Sequence, residues 1–267
     1  MMKGFLLSFQ SEFYKSRKTL GFWGAIILPL LITGLAFVAI YSNSDKFVKM
    51  PPMMLWVQFS MISLGSMGSL LLPIYTIFVA YSVNNVEHKA DTWKTLFSLP
   101  ISRWAVYGAK YFYAFFLLFL CLSLFTVFNI AFGNLLSIVK PSLKFNEYHM
   151  ELQLMQVFYK LLLAALGILS IQFLLSLLWS DFLKPMGLGF VATITGVILA
   201  SNDWKYSYLF PYAHPMGAIK SMIKHNTKGP ASSFEIDIYT KDVYVSLIVA
   251  VVIFVAGYFI VQRKSVK

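Results

Sequence analysis

Glu87, Asp91, Lys94 and Ser98 are spaced i, i+4, i+7 and i+11, which on a helix sets three charges and a hydroxyl along one side. Val86, Ala90, Trp93, Leu96 and Phe97 fall on the opposite side. Asn84 or Asn85 can cap the start of such a helix. Leu99-Pro100 ends it, because a residue before proline is pushed out of helical geometry, and Ser102 can cap the next helix. The chemistry on offer is ion pairing and hydrogen bonding to a soluble partner, not bond-making. The competing reading is a loop that only turns the chain around, yet a turn needs a few residues and Ser82–Arg103 spends about twenty.

Groups for catalysis do not assemble in the sequence. His88, His149, His214 and His225 include no pair four residues apart and no H-E-x-x-H arrangement, and Cys121 is alone, so no catalytic residue, metal ligand set or disulfide is expected. There is no G-x-S-x-G elbow. There is also no G-x-x-x-x-G-K-[ST] loop, so any ATP used must be held by another subunit.

The elements that would present the charged strip can be read from composition. Of 267 residues, 58% are hydrophobic and 12% charged, too little polar material to cover a water-facing surface. Six runs are long and apolar enough to cross a bilayer as helices: 20–41, 61–81, 106–128, 157–179, 186–200 and 243–261. The fifth is short and either starts earlier, near Phe182, or continues past Ala200. The first reads as a permanent anchor, not a cleaved signal. The net charge of +11 is spread over the connections between runs, which argues for a lipid bilayer as the partner surface and against nucleic acid. Arg17, Arg103 and Arg263 all fall on one side of a six-span topology, which assigns both termini to the cytoplasm. No run carries Asp, Glu, Lys or Arg near its middle, although Lys110 lies just inside the third. Gln172 and Asn129 read as packing residues.

Three further patterns concern architecture. Phe5, Phe9 and Phe13 share one face of an N-terminal helix, either a simple anchor or an elbow lying in the interface with its aromatics among acyl chains. Ser201–Asp242 is a long outer segment rich in aromatics, within which His214–Ile223 can form a short capping helix. Gly189, Ala192, Gly196 and Ala200 form a ladder of small residues for close helix packing, within the chain or against a second copy.

The run Glu87-His88-Lys89-Ala90-Asp91-Thr92-Trp93-Lys94, continuing through Leu99-Pro100-Ile101-Ser102-Arg103 to Tyr107 and Lys110, resembles the type-2 ABC transporter permeases. It looks closest to the lantibiotic-immunity and bacitracin-export branch. Asp91 stands where glycine is frequent in that motif. Ser11-Glu12-Phe13-Tyr14-Lys15 before the first span, and Phe210-Pro211 with His214-Pro215 before the last, extend the likeness over most of the chain. The resemblance implies an all-α integral membrane protein over 1–267, with six transmembrane helices, an elbow, a coupling helix between spans two and three and a long outer segment between spans five and six. It further implies a non-enzymatic permease subunit in a bacterial cell membrane, paired with a second copy or paralogue and with cytosolic ATPase subunits that bind ATP and Mg. Carried over by motif, Glu87, Lys89, Asp91, Thr92, Trp93 and Lys94 are the expected ATPase contacts. Relatives export peptides, antibiotics and other molecules, so the cargo stays open. The alternative is an ion-coupled carrier or channel.

Overall fold

Helices account for nearly all of the computed structural model, which describes residues 2–98, 100–226 and 236–263; no strand occurs among them. An N-terminal helix α1 (Met2–Ser16) leads into α2 (Leu20–Ser42), whose first turn is capped by Thr19 Oγ1 accepting from Phe22 N. After the short α3 (Ser44–Phe47), Pro51-Pro52 starts α4 (Pro52–Ser66), proline being suited to a first turn that needs no N–H. A single π turn at Met67–Leu71 joins α4 to α5 (Leu72–Ala90). Pro73 lacks the N–H that Ser69 O would accept, and the ladder slips there. Then come α6 (Trp93–Ser98), α7 (Arg103–Val139), α8 (Glu151–Leu178), α9 (Leu183–Ser201), α10 (His214–Asn226) and α11 (Lys241–Arg263).

Six stretches are long and apolar enough to cross a membrane: α2, α4 through α5, α7, α8, α9 and α11. The six runs read from the sequence are these six. Hydropathy underestimated the second and third, which extend over Pro52–Ala90 and Arg103–Val139. At 39 and 37 residues they are ~58 and ~55 Å long against a hydrocarbon core of ~30 Å, so both project beyond it. The fifth begins earlier than the apolar run, at Leu183, and stops at Ser201.

The centre of the bundle is α8: 72% of its most apolar stretch is buried, against 22–56% in the other five. Exposed leucines, isoleucines and valines cover the outer faces of α2 and α11, among them Leu31, Leu35, Val38, Ile248, Val251 and Val252. Helices apolar on both faces fit lipid outside and protein inside. A second, smaller core lies at the end of the bundle away from α1. There Trp56 Nε1 donates to the Phe145 carbonyl at 2.9 Å, and the indole lies against Gly133, where a Cβ would collide with it.

The small-residue ladder packs inside the chain. Gly189, Gly196 and Ala200 are buried, with Thr193 between them, while Leu188, Phe190, Val191, Ile194 and Ile198 on the other side of α9 are exposed. A Cβ on Gly189 would meet Ile77 at 2.8 Å, and one on Gly196 would sit 2.5 Å from the Tyr212 carbonyl. Ala192 packs against the Ile77–Ile168–Tyr212 cluster. Of the two neighbours the sequence left open, this face meets its own chain.

The short helix expected near His214 forms as α10 and packs onto α8, α9 and α11. Within Ser201–Asp242, residues 227–235 lie outside the described residues. His214 opens α10 and is fully buried; its Nε2 donates to the Tyr208 carbonyl at 2.8 Å, and its Nδ1 has no partner. A proton on Nδ1 would therefore sit in a dry site at the positive end of a helix.

Three outcomes are expected. Gly196→Leu should destabilise the protein by at least ~1–3 kcal/mol, because backbone and not a flexible side chain stands in the way. Gly34→Ala, where nothing lies within 4 Å, should leave the thermal midpoint in detergent unchanged or slightly raised. Burial holds the His214 pKa at about 4, below its ordinary 6.5, against the smaller pull of the Tyr208 carbonyl. The unfolded chain thus takes up this proton first as pH falls. Stability from this group is complete above pH ~6.5 and declines toward pH ~4 by roughly 3 kcal/mol, a slope that His214→Gln should remove in melts taken from pH 7 to 4.5.

Candidate coupling site

The conspicuous charged strip is not one helix. α5 runs unbroken from the second span to Ala90, so Asn84 and Asn85 cap nothing. Asn84 is fully buried and its Nδ2 donates to Ser176 Oγ at 2.8 Å and to the Phe173 carbonyl at 3.2 Å, tying α5 to α8. The helix stops at Asp91, which adopts φ 48°, ψ 36°. That is left-handed backbone, which glycine occupies without strain and aspartate tolerates better than most residues. The position where the motif frequently has glycine is thus the one whose backbone favours it. The chain restarts as α6, and Ser102 caps α7 as expected, its Oγ accepting from Ala105 N at 3.3 Å. Leu99 lies outside the described residues.

This break changes which side chains face out. Lys89, Ala90, Asp91, Thr92, Thr95 and Ser98 are exposed, and Trp93 is half-buried. Nothing is described of the Lys94 and Phe97 side chains. Glu87 does the opposite of what a single amphipathic helix requires. It is 1% exposed and points into the bundle, so its reading as a water-facing contact is corrected. Helical phase explains the error. Glu87 belongs to the buried face of α5 that also carries Val83 and Asn84, and the break at Asp91 resets the phase before α6 begins.

Glu87 is one corner of a ring of four charges. Lys110, 1% exposed on α7, donates to Glu87 Oε2, to Glu12 Oε2 at 2.9 Å and to the Val83 carbonyl at 3.2 Å. All three of its ammonium hydrogens are therefore used. Lys15 closes the ring from α1, reaching Glu87 Oε1 at 3.0 Å and Glu12 Oε1 at 3.3 Å. Burial opposes the charge on Lys15, but Glu12 and Glu87 outweigh it and raise its pKa above the usual lysine value. Two acids and two bases cancel, which is the condition for keeping charges out of water.

α1 supplies half of the ring because Glu12 and Ser16 share the inward face of that helix with Phe5 and Phe9. Phe5 meets Phe112 edge-on at 5.9 Å, and Phe9 meets Tyr113 and Phe116 at 5.9 and 6.3 Å. These rings pack on α7 with one side and remain half-exposed on the other. The ring also qualifies the expected lack of buried ionisable groups. Lys110 and Glu87 are enclosed near span ends, and Lys160, fully buried on α8, donates to the Asp237 carbonyl at 2.6 Å. Asn129 is satisfied by Ser63 and the Phe125 carbonyl, whereas Gln172 donates to Tyr212 Oη but leaves its Oε1 without a partner.

Trp93 connects the exposed segment to the ring. Its indole lies over Lys110, with Nζ 5.6 Å from the ring centre, a cation–π arrangement. Its Nε1 donates to His88 Nδ1 at 3.2 Å, which leaves His88 Nε2 to carry the hydrogen and donate to the Ser176 carbonyl at 3.0 Å. Arg103 at the start of α7 donates to the Val261 and Gln262 carbonyls, bringing the end of α11 to the same end of the bundle. Here α1, α5, α6, α7, α8 and α11 converge. The sequence signal that was missed is Lys110 itself, since a lone charge inside an apolar helix implies an unseen partner.

Replacing Lys110 by methionine leaves Glu12 and Glu87 facing each other with only Lys15 between them. Thermal unfolding in detergent is expected to reflect a loss of roughly 3–5 kcal/mol, largely recovered when Glu12→Gln and Glu87→Gln are added. A single variant as stable as the parent would show the four charges to be uncoupled.

A sequence profile described as ABC-2 family transporter protein matches residues 8–196, or 189 of the 267 residues. The matched stretch begins within α1, takes in all four charged corners and the α5–α6 break, and ends in α9. No curated protein and no solved structure matches the chain. With six crossings and a profile match over most of its length, this multi-pass membrane protein belongs to the ABC-2 transporter family.

Proposed function

We propose that the chain is the permease subunit of an ATP-binding-cassette exporter, and that its ATPase partner grips the segment 89–98 through its exposed residues Lys89, Asp91, Thr92, Thr95 and Ser98. The observation that carries this reading is the connection at Trp93. An exposed break bearing Lys89, Asp91 and Thr92 leads, one residue later, to an indole resting on the buried Lys110. A partner that pulls on the exposed residues therefore acts on α1, α5 and α7 together. Family membership supports the arrangement, since ABC-2 permeases normally work with ATPase subunits. ATP and Mg belong on those subunits. A second copy or paralogue completes the pathway, and the end of the bundle carrying α1 and α6 faces the cytoplasm. ATP-driven closure of the partner pair then shifts the permease between two arrangements for which it has different affinity. An ion-coupled carrier needs a buried group free to exchange its ion; the four charges at this site pair among themselves near one end of the bundle.

The test uses surface substitutions that spare the ring. Asp91→Asn with Thr92→Arg alters exposed side chains, keeps a residue that tolerates the left-handed turn, and should change stability by no more than ~0.5 kcal/mol. In vesicles holding the permease and an ATPase encoded beside it, the pair should reduce permease-stimulated ATP hydrolysis at least tenfold. Asp91→Gly preserves the left-handed turn and should fall between the two. Full stimulation by the double variant would count against docking at this segment.

A further inference from the structure

A groove of about 540 Å³ opens on the flank of the bundle between the α1–α2 junction, the last three turns of α5 and the start of α9. That size lies within the range of small-molecule sites. Its inner wall is apolar and aromatic: Phe78 and Tyr81 line it, with Phe182 edge-on to Tyr81 at 5.0 Å. Nearer the mouth the lining turns polar, where Tyr81 Oη donates to Asn85 Oδ1 at 2.8 Å. At the mouth stand two lysines, Lys18 from the junction and Lys89 from the end of α5, both exposed. We infer that this groove holds an anionic phospholipid of the adjoining leaflet, its acyl chain along Phe78, Tyr81 and Phe182 and its phosphate between Lys18 and Lys89.

Charge and length both argue for that occupant. Two other cations of the α1–α2 junction are engaged: Lys15 with Glu12 and Glu87, and Arg17 over the Tyr14 ring at 5.4 Å. Lys18 and Lys89 form no ion pair among the described residues, so both ammonium groups at the mouth are available to an anion. Two of the acids nearby have other partners, and Asp91, exposed two residues beyond Lys89, pairs with neither lysine. Glu87, two residues before Lys89, points inward to Lys110, and Asp181 beside Phe182 accepts from Leu183 N at 3.0 Å. From Phe78 to Lys89 the groove runs along eleven residues of helix, ~16 Å, against ~15 Å for half a hydrocarbon core. A site that is basic at the headgroup level and aromatic one leaflet deep is complementary to a lipid with an acidic head. The inference needs only a membrane-spanning chain; it shares Lys89 with the ATPase reading, and lipid retention measured with no ATPase present tests it separately.

The test measures lipid retention on the intact protein in detergent by native mass spectrometry, with dioleoylphosphatidylglycerol and dioleoylphosphatidylcholine as probes. The acidic lipid should be held roughly tenfold more tightly, on the scale of two lysines near a phosphate. Lys18→Glu with Lys89→Glu should bring the two lipids within about twofold, Lys18→Glu alone should fall between, and Arg17→Glu, the same charge change outside the groove, should retain the preference. No preference in the parent protein, or an equal loss in Arg17→Glu, would overturn the assignment. Displacement of the acidic lipid by millimolar inorganic phosphate would make this a phosphate site and not a lipid site. A disulfide between two chains through Asn85→Cys, in a Cys121→Ser background, would place a second copy in the groove and equally overturn it.

Discussion

Charges withdrawn from water must be neutralised by one another, and near one end of this bundle that requirement joins three helices distant in sequence. Glu12, Lys15, Glu87 and Lys110 come from α1, α5 and α7, and the buried three, Glu12, Glu87 and Lys110, find their opposite charges only within this group. Their pairing fixes the position of the N-terminal helix relative to the second and third crossings. It also fixes Lys110 beneath Trp93, and thereby the place where the chain can break and restart as α6. Van der Waals packing holds these helices together but gives little direction, since lipid tails are as apolar as the side chains they replace. The ring supplies the register.

Period and composition revealed much of this architecture. Six apolar runs gave six crossings, and Ser102 was legible as a helix cap because capping is a local event between a hydroxyl and an N–H three residues away. The phase of the charged segment was not legible. An i, i+4, i+7 pattern assumes one continuous helix, and Asp91 ends that helix in the middle of the pattern. Glu87 looked like the first residue of a water-facing stripe when it is among the last of a buried face. The resemblance itself held the clue, since a position where glycine is frequent is one where left-handed backbone is to be expected.

The opposite case is the ladder on α9. Gly189, Ala192, Gly196 and Ala200 announced close packing, but spacing alone cannot say against what. The answer came from a segment with no periodic signal, the turn around Tyr212, whose backbone fills the space that a side chain at Gly196 would occupy. Likewise, nothing local to Phe5 or Phe9 distinguishes a neighbour made of lipid from one made of Tyr113 and Phe116. Both surroundings are apolar.

The second crossing, drawn as one rod from Pro52 to Ala90, is about twice as long as the oily layer it passes through. Any rigid rod that overshoots its bearing is a lever. Rotating one of ~58 Å by about 5° carries its far tip about 5 Å sideways. The near tip here ends beside Asp91 and the far one beside Trp56 and Phe145. The π turn at Met67–Leu71 falls between them, a little nearer the Trp56 end. A π turn is a place where a helix readily bends, so a tilt of one half of the rod need not reach the other undiminished.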